Sequence, residues 1–102
     1  MSATDTATIS RRRVTHELKT WPEFFNATRN GEKKFELRRN DRDFKVGDQL
    51  FLKEWNPEVT QSCNVQGYTG RELLVRVDYI MDDAHRFGLD PDFIIMSISH
   101  VN

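Results

Sequence analysis

Lys33, Lys34, Glu36, Arg38, Arg39 and Arg42 place five cations and one carboxylate within ten residues. Arginine forks meet phosphate oxygens through paired hydrogen bonds and lysines add point charge, so such a stretch can position a nucleic-acid backbone. Glu36 needs a different task. A carboxylate among cations can accept from a base edge or sugar hydroxyl, orient Lys33 and Arg38, or act as a general base. The plain alternative is a solvated strand face whose exposed salt bridges are worth about 0–1 kcal/mol each.

The elements that position these residues follow from periodicity. Residues 34–38 alternate, with Phe35 and Leu37 on one side and Lys34, Glu36 and Arg38 on the other; Phe35 and Leu37 are the expected core pair. Before them, residues 14–19 read as a strand carrying Val14, His16 and Leu18 on one face. His16 there is more simply a hydrogen-bonded structural residue than a catalyst. Thr20 is expected to cap a helix, with Pro22 in its first turn and Glu23 completing a capping box. Trp21, Phe24, Phe25 and Thr28 fall on one helical stripe, expected to pack in the core and not to serve as a base-stacking platform. Gly31 is the expected stop.

Beyond the charged turn at residues 40–43, residues 49–55 form the next expected strand. A surface loop over residues 56–67 follows it. Residues 68–71 open a strand over 72–81, an acidic connection over 82–91 has room for one helical turn, and residues 93–100 make the last strand. Several short strands with one early helix specify a small α+β domain, most simply a barrel that closes its own edges.

At 102 residues the chain supports one domain, and seven Phe, two Trp and two Tyr supply its core. The expected division is a flexible basic tail over residues 1–12 and a folded domain over 13–102. Net charge is −1, yet residues 1–45 carry eleven Lys and Arg against seven Asp and Glu, and the remainder four against nine. One side of such a bipolar molecule can meet a polyanion, although a mixed charged surface also serves solubility alone. The single Cys63 cannot form an internal disulfide, and no Cys or His spacing suggests a metal site. No signal peptide or membrane segment is expected, which makes a cytoplasmic monomer without cofactor the working picture.

Gly31, Lys33, Glu36 and Arg38 together fill the pattern Gly-x-Lys-x-x-Glu-x-Arg, which resembles the signature of the ASCH domains, small barrels related to the PUA RNA-binding fold. The surrounding order is similar too: His-Glu-Leu-Lys in the first strand, an aromatic-rich helix, the motif strand, then a Val-Gly-Asp turn at residues 46–48. Residues 35–44 with Tyr68-Thr-Gly-Arg-Glu most resemble a compact bacterial and phage subgroup. The resemblance implies a PUA-like β-barrel and a role in binding RNA or nucleotide-like molecules. Some relatives are hydrolases that deacylate acetylated cytidine with a Lys and a Thr of the motif region, and Glu36 stands where they place that Thr.

The expected binding residues are accordingly Lys33, Lys34, Glu36, Arg38, Arg39 and Arg42, with Arg71 nearby and Tyr68 or Trp55 for stacking. Two alternatives stay open. One is an enzyme acting on a modified nucleoside or RNA, with Lys33 and Glu36 as the proton-transfer pair. The other is a domain that binds a host protein through the acidic segment at residues 82–92 or the loop around Cys63.

Overall fold

The computed structural model describes residues 13–58 and 67–101. The expected basic tail, Cys63 and most of the loop after Trp55 lie outside that range. Five strands and one helix follow in the order β1 (Thr15–Thr20), α1 (Pro22–Arg29), β2 (Phe35–Arg39), β3 (Gln49–Trp55), β4 (Tyr68–Met81) and β5 (Phe93–His100). A single turn of 3-10 helix, Ala84–Phe87, sits in the acidic connection.

The strands form one sheet in the order β1-β3-β4-β5-β2. β1 runs parallel to β3, and the other neighbours are antiparallel. A parallel neighbour requires a crossover, which α1 and β2 together provide. In a flat sheet the outer strands β1 and β2 would lie four spacings, about 19 Å, apart. Instead Arg38 on β2 donates from Nη2 to the Lys19 carbonyl of β1 at 2.9 Å, and Arg42 donates to the Glu17 carbonyl at 2.9 Å. The sheet therefore curls into a half-barrel whose two edges meet at a seam bridged by arginines. No helix among the described residues is long and apolar enough to cross a membrane.

Leu18, Leu50, Leu52, Val75, Val77, Ile94, Met96 and Ile98 point inward and are joined by Phe25 from α1 and by Phe44. Buried polar groups occupy the ends of this core. At one end His16 and Asp48 lie 2.9 Å apart, and Asp48 also accepts the backbone N–H groups of Val14 and Lys45. At the other, Thr20 of β1 stands in register with Glu54 of β3, and both are buried. Glu54 accepts from the Thr69 hydroxyl at 2.7 Å and lies 3.6 Å from Arg71, where the β3–β4 register shifts between Lys53 and Trp55.

Two local expectations change. Thr20 is not the helix cap: it is the last inward residue of β1, and Trp21 occupies the cap position without a side-chain hydrogen bond. The strand ladder to β3 keeps Thr20 extended, so its hydroxyl turns into the barrel. Val14 precedes β1 and is exposed, so the inward face starts at His16. Gly31 does end the helical segment's turn, with φ +82°, its N–H bonded to the Thr28 carbonyl.

Candidate functional site

β2 presents its charged face to the inside. Glu36 pairs with Met96 across the antiparallel ladder and shares its inward direction, which leaves Glu36 only 3% exposed. Phe35 and Leu37, the expected core pair, are instead 46% and 45% exposed. The reason is position: β2 is an edge strand, and its inward side chains enter the seam opposite β1, where Arg38 finds backbone and hydroxyl acceptors that no apolar residue could satisfy.

The buried carboxylate is fully engaged. Lys33 donates from Nζ to Oε2 of Glu36 at 3.0 Å, and Arg38 donates from Nε to Oε1 at 2.9 Å. Lys33 also donates to the Phe35 carbonyl at 2.6 Å. Arg38 continues across the seam to the Lys19 carbonyl and, at 3.4 Å, to the Thr20 hydroxyl. Burying a charge without partners would cost several kcal/mol, so two cations on one carboxylate is the arrangement burial demands. What remains unspent is donor capacity. Lys33 has three N–H donors and uses two, and Nη1 of Arg38 has no partner among the described residues.

These groups face a cavity of about 460 Å³ at the seam. Its second wall comes from the corner between β1 and α1, where Lys19, Thr20, Trp21 and Phe24 line it opposite Lys33, Phe35, Glu36 and Arg38. Trp21 is 50% and Phe24 46% exposed, whereas Phe25 and Thr28 from the same stripe are buried. The stripe thus divides: α1 has eight residues, and its N-terminal end overhangs the seam while its later turn packs on the core. Trp21 is held edge-on against Trp55 with ring centroids 5.5 Å apart, and Lys19 stands 4.3 Å over the Trp55 ring. Lys33 lies 4.8 Å from the Phe35 ring centre. Aromatic faces and cations share one concave surface.

The other expected residues are distributed elsewhere. Lys34 is exposed and makes no ion pair among the described residues. Arg39 pairs with Asp92 at 3.2 Å and covers Phe93, while Arg42 is spent on the Glu17 carbonyl. Arg71 donates to Asn26 at 2.7 Å, lies near Glu54 and stacks on Phe25. Tyr68 sits beneath Lys53, and neither Tyr68 nor Arg71 lines the seam cavity. Trp55 supports Trp21 from behind. Of the expected set, Lys33, Glu36 and Arg38 converge, and the cavity adds Lys19, Thr20, Trp21 and Phe24. The signal for Thr20 was present in the alternation His16, Leu18, Thr20; for Trp21 and Phe24 a helical stripe gives no hint of which part overhangs.

The chain belongs to the family described as a domain of unknown function, DUF3850, whose model matches residues 15–98. That span runs from β1 into β5, ending at Ile98, and contains every residue that lines the seam cavity. The chain is also similar to a protein of Escherichia phage P2 described as an uncharacterized 12.9 kDa protein in the GpA 3′ region, 35% identical over 68 residues. The match covers 66% of this chain and 54% of the phage protein, so the chain spans about half of that relative's length.

Proposed function

We propose that this chain is an RNA- or nucleotide-binding module of the PUA-like, ASCH type, taking an anionic ligand with an aromatic base in the seam cavity. The observation that carries the reading is the union of half-exposed Trp21, Phe24 and Phe35 with Lys33 and Arg38 around one cavity. Base–aromatic stacking and cation–phosphate contact are the two interactions by which single-stranded nucleic acid is held without a duplex. Glu36 orients the two cations and does not read the ligand, because both of its oxygens already accept a charged hydrogen bond.

With Lys33, Arg38 and Lys19 each able to neutralise one phosphate, log affinity for single-stranded RNA should fall against log salt with a slope of about −2.1. Fluorescence anisotropy with labelled mixed-sequence oligoribonucleotides measures it. Absence of binding at low ionic strength, or a flat salt dependence, sinks the proposal. Lys33→Ala and Arg38→Ala should each weaken binding and shallow the slope.

A further inference from the structure

A second pocket, of about 290 Å³, adjoins Lys33 from the other side and is lined by Thr28, Gly31, Lys34, Ser99 and His100 as well as by Lys33 itself. We infer that it holds a second phosphate, so that the ligand is a ribonucleotide chain of at least two residues passing over Lys33, and not a mononucleotide. The inference rests on the nucleotide-binding reading of the seam cavity and extends it.

The chemistry of this pocket is that of a donor-rich basin. No carboxylate lines it. The Lys34 ammonium is exposed and has no ion-pair partner among the described residues, whereas Arg39 farther along β2 is paired with Asp92. The Ser99 oxygen accepts from Nη2 of Arg76 at 3.2 Å, which leaves its own O–H to donate. His100 is fixed by a 2.8 Å hydrogen bond from Nε2 to the Thr28 carbonyl. Thr28 is 1% exposed, and its Oγ1 is a buried side-chain atom without a hydrogen-bond partner.

The end of α1 at this pocket would ordinarily disfavour an anion, because terminal carbonyls carry the negative end of the helix dipole. Here three of the last four carbonyls accept hydrogen bonds within the protein. Asn30 donates to Asn26, Gly31 to Thr28, and both Glu32 and Lys33 donate to Ala27, with His100 adding a second donor to Thr28. The backbone turns away at Gly31, where φ is +82° and the position of a Cβ meets no atom within 4 Å, so the pocket is open at that point. Lys33 joins the two basins because its side chain reaches Glu36 in the seam while its residue forms part of the second wall. A strand passing over Lys33 with a base stacked in the seam would place a neighbouring phosphate in the second basin.

The test compares affinities of the full chain for the four nucleoside 5′-monophosphates and for mixed-sequence diribonucleotides carrying a 5′-phosphate, by calorimetry at fixed low salt. The expected result is a dinucleotide bound at least about tenfold tighter than a mononucleotide, with that ratio falling towards one in Lys34→Ala and in the double variant Lys34→Ala/His100→Ala. Lys34 is exposed, so the single lysine variant keeps the test valid if the loss of the His100–Thr28 hydrogen bond unfolds the chain. Equal affinities in the parent, or a ratio unchanged in Lys34→Ala, overturns the second pocket while leaving the seam reading intact. Binding of neither ligand overturns both.

Discussion

Glu36→Gln preserves the shape of the side chain and removes the charge on which Lys33 and Arg38 converge. A glutamine has one acceptor oxygen and one donor nitrogen, so whichever way it turns, one cation keeps a hydrogen bond and the other faces an N–H group. One charged hydrogen bond is lost outright, about 1.5–3 kcal/mol, and the cations lose their counter-charge. Breaking a fully buried pair costs about 3–5 kcal/mol, but the side chains of Lys33 and Arg38 are 15% and 26% exposed and regain some water. The expected destabilisation is therefore about 2–3 kcal/mol. In a domain of this size that lowers Tm by roughly 10–20 °C. Thermal unfolding followed by circular dichroism reads it directly, with Glu17→Gln as the control, since Glu17 makes only an exposed 3.8 Å pair with Lys53 and should shift stability by less than about 0.5 kcal/mol. On the proposed function, RNA affinity falls about tenfold or more as Lys33 and Arg38 lose their geometry. A Glu36→Gln variant as stable as Glu17→Gln, with equal or tighter RNA binding, would refute the reasoning.

Trp21→Ala should cost about 1–3 kcal/mol of single-stranded RNA binding through lost stacking. Because the indole is half exposed, its melting temperature should fall less than that of Glu36→Gln, and unchanged affinity would remove Trp21 from the site. Gly67→Ala should destabilise by about 2–3 kcal/mol, since the residue has φ +87° and an added Cβ would stand 2.3 Å from Nε1 of Trp55. Urea unfolding with tryptophan fluorescence reads both the stability and the displacement of Trp55; a parent-like midpoint contradicts the packing. Asp48→Ala removes the acceptor for Val14, Lys45 and His16, three bonds worth about 1 kcal/mol each, and should lower the urea midpoint accordingly. A loss under about 1 kcal/mol would mean that water replaces the carboxylate.

Local periodicity and turn chemistry are legible in the chain because they are properties of the backbone. His16, Leu18 and Thr20 alternate with exposed neighbours, Leu50, Leu52 and Glu54 and then Ile94, Met96 and Ile98 alternate with half-buried ones, and each series reads as a strand before any partner is known. Pro22 and Gly31 bracket α1 for reasons internal to their own residues. The conjunction of Lys33, Glu36 and Arg38 on one segment was also visible. Which face of a strand is buried is another matter. Alternation states that Glu36 and Arg38 oppose Phe35 and Leu37, but apolarity alone chooses the wrong side, because it assumes that the strand lies over the middle of a core. The sheet order puts β2 at an edge, and the curl brings that edge against β1, where a paired carboxylate is better satisfied than a phenyl ring. The same closure turns Thr20 from an expected cap into a cavity residue and leaves Trp21 and Phe24 overhanging the seam. None of these has a local signal, because each is set by which strands become neighbours, and that is decided by contacts between residues far apart in the chain.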